Sequence, residues 1–465
     1  MSDIVQNAYA GSGFYGANSE TLENLHKALQ AGSGADASSF TGGRALIPEN
    51  LDQTLINVLH SVDEAILFQR LKKNPVRGPI HQWNYRDEVG ADDGAWVPEG
   101  GDSEETDQDI ERRFTTAKYL QTLRKVTLQM ASSDTIGGVE SAEALEEQAG
   151  TLWLIRNVER TLFTGRSNIV SEQFDGLDAQ IENVIDLRGL DATTDGFEDA
   201  MNEATRVIRD HFGKADLMLG STVVIEDVQK LLRDRIRFEV GTDGLGSRVF
   251  NRYPTPFGNP ELKDDVFIGI GGAPAASSLA SKRPAVPTIN TSAAESASGA
   301  SGASHFAAAD AGDYFYQVVA INRYGDSVAT AATSAVTVAN GQVVKINVTE
   351  GDPAARGYKV YRSKLNGVNT DLRYAFSVPR TGATQDIFDT NSDLPGTTSM
   401  YVLTMDPARL AIEWVQFLPM MRFPLYPTNA AVYPFLMLLF GALAVKKPVQ
   451  HVRIKNIAPS TLDWF

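Results

Sequence analysis

The 465-residue sequence contains no cysteine. Disulfides, thiolate metal centres and chemistry resting on sulfur pairs are therefore excluded, and the chain fits assembly in a reducing compartment. Positive charge is scarce, with 42 Lys and Arg against 58 Asp and Glu and a formal net charge of -16. Neutralising a phosphate backbone takes clustered basic residues, so general nucleic-acid binding is excluded. Long apolar runs are few as well. The most apolar stretch, 430–445, is interrupted by Pro434 and falls short of the roughly 20 residues a membrane span needs, so it is expected to be buried core. The N-terminal MSDIVQNAYAGSGFYG has neither the basic nor the apolar region of a secretory signal, so the chain is expected to stay where it is made.

Catalytic patterns are missing too. The histidines are His26, His60, His81, His211, His305 and His451, and no two stand at a metal-ligand or catalytic spacing. There is no Gly-x-Ser-x-Gly elbow. The glycine run 269–272 follows a predicted strand, but Ala, Pro and Ser come after it rather than a patterned helix, so a phosphate-cradling loop is not expected. No catalytic residue, cofactor or metal is predicted, and the chain is not expected to be an enzyme.

What is present is an ordinary globular balance, 43% hydrophobic and 22% charged. At about 100–200 residues per domain the length allows two to four domains. The most strongly patterned stretch is 138–165. Val139, Leu145, Leu152, Trp153, Ile155, Val158 and Leu162 recur at three- and four-residue spacing, which predicts one long amphipathic helix. Ser141 is the expected N-cap and Gly165 the stop. Glu143, Glu146 and Glu147 suit the positive end of the helix dipole, and Arg156 and Arg160 the negative end.

Before that helix, residues 1–42 are rich in Gly, Ser and Ala and read as an arm, with a short helix over 21–30. Residues 43–76 carry a second amphipathic stretch with Leu51, Leu55, Val58, Leu59, Val62, Ile66 and Leu67 on one face. Residues 77–130 differ in kind: 80–86 and 114–130 alternate like strands on either side of an acidic, glycine-rich tract at 87–109. A long hairpin of this sort is marginal alone in water, so it is expected to lie on another copy of the chain. The acidic tract could pair with a basic patch on a neighbour, hold a hard cation such as calcium, or stay a solvated loop. Arg112 and Arg113 beside it favour pairing between subunits over metal, because Arg contacts carboxylates in bidentate fashion.

After the long helix, Phe197, Met201, Ala204, Val207 and Ile208 predict a third amphipathic helix over 194–212. Strands are predicted at 217–219 and 265–269, with helix over 221–238. Composition shifts at 284–311, which is dominated by Ser, Ala and Gly. Beyond it, 313–320, 342–348, 357–362, 374–378 and 385–388 all alternate like short strands, which predicts a separate all-β sandwich. From 401 the earlier style returns, with strands at 401–405 and 410–417 and a final core segment over 435–445 and 449–457, so the β-domain interrupts another domain.

This order of arm, extended hairpin, long helix and interrupted α/β domain resembles the major capsid proteins of tailed bacteriophages with the Hong Kong 97-type fold. The likeness is carried by 43–59, by Trp96-Val97-Pro98-Glu99-Gly100-Gly101 with Lys118 and 126–130, by 159–165, and by 440–448 with 452–457. It spans roughly 43–280 and 400–460. Inside the insert, 314–322 with Gly325 and Ser327, and 357–362, resemble strands of a fibronectin type III or immunoglobulin-like domain. They occur in the opposite order from the usual fibronectin pattern, which leaves the connectivity open.

The resemblance implies an α+β fold laid out as N-terminal arm (1–42), helical lead-in (43–76), E-loop (77–130), P-domain with spine helix (131–195), A-domain first part (196–282), immunoglobulin-like insertion (283–398) and a closing A/P part (399–465). It implies a structural subunit that self-assembles as hexamers and pentamers into an icosahedral shell around phage DNA. The implied partners are portal, scaffolding and decoration proteins, without sequence-specific DNA contacts or a membrane. The implied location is the virion capsid, after synthesis in the bacterial host cytoplasm. Trp83, Arg86, Trp96, Glu99, Arg112 and Arg113 are the expected inter-subunit contacts. Lys118 and Lys125 lie where some capsids of this family crosslink, but no motif fixes an Asn partner. The rival readings are an encapsulin-like nanocompartment shell, a surface adhesin and, last, an enzyme.

Overall fold

The computed structural model describes residues 62–86, 96–102, 108, 110–132, 141–232, 251–296, 303–352, 354–427 and 430–461. The arm with its helix at 21–30, the lead-in to 61, most of the acidic tract, Val139 and 233–238 lie outside them. Described residues 129–132 and 141–145 group apart from the rest. They contribute the end of a short helix and the start of the long one.

The chain begins with α1 (Ile66–Arg70) and a three-residue strand β1 (Lys73–Pro75), followed by β2 (Ile80–Tyr85), β3 (Glu111–Thr116), β4 (Lys118–Thr127) and α2 (Leu128–Ala131). The long helix α3 runs from Ala142 to Thr164. The hydroxyl of Ser141 accepts the Ala144 N–H at 3.1 Å, the expected cap. The helix ends at Thr164, and glycine is required just after it: a Cβ added at Gly165 would sit 2.5 Å from the Phe174 carbonyl oxygen. Its electrostatics differ from expectation, since Glu143 occupies the first turn but no basic residue occupies the last. Of the expected stripe, Leu152, Ile155, Val158 and Leu162 are buried, while Leu145 and Trp153 are exposed. Leu154, Glu159 and Phe163 are fully enclosed in their place, so the buried face is turned slightly from the one expected.

Two sheets receive this helix. The first has the order β1-β18-β19-β4, where β18 is Ile412–Pro424 and β19 is Val432–Val445; β1 lies parallel to β18 and the remaining neighbours are antiparallel. Its inner face supplies Trp414, Phe435, Met437, Leu439 and Leu443 to a core shared with Leu154, Val158, Leu162 and Phe163. Burying each such side chain contributes roughly 1.5–3 kcal/mol, which is what fixes a 23-residue helix in place. Trp414 sits at the centre, with the rings of Phe68 and Phe174 each edge-on to it at 5.3 Å. Gly441 on the adjacent strand makes space for it, because a Cβ there would lie 2.5 Å from the indole.

The second sheet has the order β5-β20-β17-β6-β7, formed by Asn183–Asp186, Val452–Ile457, Thr398–Leu403, Leu217–Gly220 and Glu261–Asp264. Its other face is covered by α5 (Asp195–Asp210) and α6 (Thr222–Leu232), through Phe197, Met201, Ala204, Ile208, Val224 and Val228. The small helix between α3 and β5, Leu177–Gln180, is α4. Between β7 and β17 stand β8 (Thr288–Ser296), β9 (Gly312–Tyr314), β10 (Tyr316–Asn322), β11 (Gly325–Asp326), β12 (Val336–Val338), β13 (Gln342–Thr349), β14 (Gly357–Ser363), β15 (Leu372–Pro379) and β16 (Thr384–Asp389), arranged as the sheets β11-β10-β14-β15 and β16-β13-β8 with the pair β12-β9. Tyr316, Val318, Val344, Ile346, Tyr358 and Val360 fill the core they enclose.

Four expectations are corrected. The stretch 114–130 is not one strand of a hairpin. The ladder with β2 ends at Ile80 opposite Thr116, Ala117 is buried, and its N–H donates to the Pro79 carbonyl at 2.7 Å. The chain then turns inward, and β4 pairs over its whole length with β19 of the same chain. Residues 265–269 are not a strand. Asp265 accepts the Phe267 N–H at 2.8 Å, an Asx-turn that ends β7 at Asp264. The segments 440–445 and 452–457 do not close one sheet but belong to the two different sheets. The strand placed at 410–417 extends from Ile412 to Pro424.

Candidate inter-subunit surface

Of the six expected contact residues, the register of the β2–β3 hairpin brings Trp83 opposite Arg113 and Asn84 opposite Arg112. Strand alternation then sorts them. Trp83 and Arg113 point to the inner face, where the Arg113 guanidinium lies 3.9 Å above the Tyr85 ring. It also faces Glu182 at 3.5 Å and Glu111 at 3.6 Å. Trp83 stacks on His81 at 5.9 Å, and its enclosed indole N–H meets no acceptor among the described residues. Trp83, Arg112, Arg113 and Phe114 line a hollow of about 390 Å³ against Glu182, Val445 and Pro448. Trp83 and Arg113 therefore anchor the hairpin to their own chain.

At the root of the hairpin, Glu413, almost fully buried, receives Lys446 at 2.6 Å and the Asn74 amide at 2.9 Å, and His81 Nε2 lies 3.5 Å from it without a hydrogen bond. A carboxylate buried with two or three donors is satisfied, whereas one left alone would cost several kcal/mol.

On the outer face of the hairpin, Ile80, Ile110, Phe114 and Arg112 are exposed. Arg86 donates to the Gln108 side-chain oxygen at 2.8 Å. Trp96 is 98% exposed and, with the exposed Glu99, belongs to a turn closed by Gly101 N–H to the Pro98 carbonyl at 2.9 Å. An indole held wholly in water is the kind of group that interfaces cover. Lys118 donates to the Ser171 carbonyl at 2.7 Å, and Lys125 is exposed on β4.

A surface that sequence reasoning did not single out is the outer face of the first sheet. There Tyr119 and Leu123 of β4 and Met421 and Phe423 of β18 are exposed, on either side of β19, and Tyr119 packs edge-on against Phe440 at 4.9 Å. A signal existed: 119–126 carries apolar residues in both phases of its alternation, as a strand with two apolar faces must.

No arrangement of catalytic kind stands out among the described residues. No group of three or more His, Asp or Glu there could hold a metal ion. His451 is wholly buried, and burial holds its imidazole down to about 4, so it is neutral. In a cleft of about 1190 Å³, Arg453 pairs with Asp178 at 3.0 Å, and Asp178 also accepts the Tyr401 hydroxyl at 2.7 Å, so these charges are already matched. No helix among the described residues is long and apolar enough to cross a membrane.

Comparison with known proteins follows the same direction. No protein-family profile matches the sequence. The chain is similar to a protein named major capsid protein from Staphylococcus phage K, at 24% identity over 94% of this chain and 95% of that protein. It is similar to a putative major capsid protein from Enterococcus phage phiEF24C, at 22% over 94% and 95%. Among solved structures it resembles the holo-SrpI encapsulin complex from Synechococcus elongatus, with 10% identity, a TM-score of 0.44 and coverage of 90% and 95%. It also resembles a chain of Gordonia phage Cozz, with 11% identity, a TM-score of 0.45 and coverage of 92% and 96%. Both scores are too low to carry an argument, so the weight rests on the sequence relatives. End to end, this chain is similar to phage major capsid proteins.

Proposed function

We propose that the chain is a structural subunit that self-assembles into a phage head shell. The observation that carries this reading is the similarity to phage major capsid proteins over 94% of the chain and 95% of theirs, which leaves no large part of either without a counterpart. The subunit does its work by contact rather than chemistry. The chain presents a hairpin with an apolar, arginine-bearing outer face, and many individually weak contacts sum when copies close into a shell.

In this reading the subunit has the Hong Kong 97-type layout, in which β2, β3 and the residues between them are the E-loop and α3 is the spine helix. Hexamers and pentamers of the chain tile an icosahedral lattice, and portal, scaffolding and decoration proteins complete the particle. Residues 283–398 form an immunoglobulin-like insertion on the outer surface, because a domain added on the inner face would collide with packed DNA. Arg86, Trp96, Glu99 and Arg112 meet a neighbouring subunit, and Trp83 and Arg113 act behind them by holding the hairpin. The net charge of -16 suits a wall that does not grip its genome.

The test is the content of the particles. Particles purified from infected or expressing cells are expected to protect double-stranded DNA from nuclease when the packaging machinery is present. A particle that holds cargo protein instead identifies a nanocompartment, and failure to form particles at all rejects the reading.

A further inference from the structure

Glu159 lies on the buried face of α3 and is completely enclosed. Its two carboxyl oxygens accept the backbone N–H groups of Leu67 at 2.8 Å and Phe68 at 3.0 Å, both in α1. From the turn after β7, Asp265 faces it within hydrogen-bonding reach. Asp265 is itself 1% exposed; its Oδ1 accepts the Phe267 N–H at 2.8 Å, while its Oδ2 meets no donor among the described residues. The other charged groups nearby do not supply that donor. Lys73 of β1 acts on Glu159 from a distance, but its ammonium is held by the carbonyls of Phe68 and Gln69. Arg70 is committed to Glu261 at 2.6 Å, Asp264 adds further negative charge beside Asp265, and Arg156 and Arg160 of α3 repel one another. Two ionised carboxylates in contact in this apolar enclosure would repel one another and leave a buried oxygen unpaired.

We propose that Glu159 and Asp265 share a single proton, forming a carboxyl–carboxylate latch that ties α3 to α1 and to the turn after β7 and that loosens when the proton is withdrawn. The hydrogen atom on Glu159 supplies the donor that Asp265 Oδ2 lacks, and the two N–H groups of α1 still find acceptors. Burial, then the neighbouring Asp265 charge, pushes Glu159 up to about 9 against the opposing pull of the two N–H groups. Burial likewise raises Asp265. A carboxyl raised in the folded chain binds a proton there that the unfolded chain has released. Its stabilisation is therefore complete below the ordinary carboxylate range and is lost as pH rises through about 9. The latch stands whether or not subunits assemble.

Urea unfolding of the full-length chain from about pH 6 to about pH 9 tests it. A one-proton difference makes the unfolding constant grow about tenfold per pH unit. Glu159→Gln, whose amide donates to Asp265 Oδ2 without a titrating proton, is expected to remove that slope, whereas Asp265→Asn leaves Glu159 buried and is expected to shift the slope to lower pH without removing it. A wild-type stability that does not change across this range, or a slope kept in Glu159→Gln, overturns the proposal. Hydrogen exchange at the Leu67 and Phe68 amides needs no variant: the latch predicts that their protection collapses as pH passes about 9, and protection that persists well above that point also overturns it.

Discussion

At the scale of single residues, one buried ion pair shows how the interior holds charge by surrounding it with several partners. Arg362 and Asp389, 2% and 1% exposed, join at 2.6 Å in the core of the 288–389 segment. The Tyr316 hydroxyl donates to the same carboxylate at 3.0 Å, and Asn391 accepts from Arg362 at 2.7 Å. Burial drives the Tyr316 hydroxyl well above its ordinary range, so it stays a donor at any working pH. Asp389→Ala strands a buried guanidinium and is expected to cost about 3–5 kcal/mol in urea unfolding, whereas replacing an exposed pair such as Arg206 and Asp210 should cost under about 1 kcal/mol. Residues of this kind are the least legible in a sequence. Glu159 occupies an apolar phase of α3 yet is an acidic residue, so periodicity alone assigns it to water. Asp265 resembles the start of a strand until its side chain is seen closing a turn.

At the scale of elements, the existence of the long helix, its cap at Ser141 and its stop at Gly165 are all legible from spacing and residue type. Its rotation is not. The sequence offers Trp153 and Leu154 side by side, and only the facing sheet, with Trp414 and Met437, decides that Leu154 goes in. Leu154→Ala is accordingly expected to lose about 2–5 kcal/mol in chemical unfolding, and Trp153→Ala much less. The hairpin shows a similar limit. The inward phase shifts from odd to even positions between Ala117 and Lys118, but the sequence, apolar in both phases from Tyr119, does not mark the shift, and the switch from β2 to β19 is tertiary. The hairpin's two faces lead to separate expectations. Phe114→Asp on the outer face should leave the melting temperature nearly unchanged while preventing particle formation in a sedimentation assay. Assembly at the wild-type level would remove this face from the interface.

At the scale of the whole molecule, the sequence alone indicated the α+β class, the interruption by a β-rich segment and the likeness to phage capsid proteins. The full-length relatives, named major capsid proteins, agree with that last reading. The separation into two sheets and the apolar outer face of the first were hidden, because both depend on which distant strands pair. A shell subunit must fold to a stable body and still leave apolar surface for its neighbours, and the described residues combine the two: Trp414 is enclosed, while Trp96, Phe114 and Leu123 stand in water. The most direct measurement of the central claim is electron microscopy of the full-length protein, expressed and concentrated. Closed shells of uniform size are predicted. Dispersed single subunits at high concentration would contradict the account.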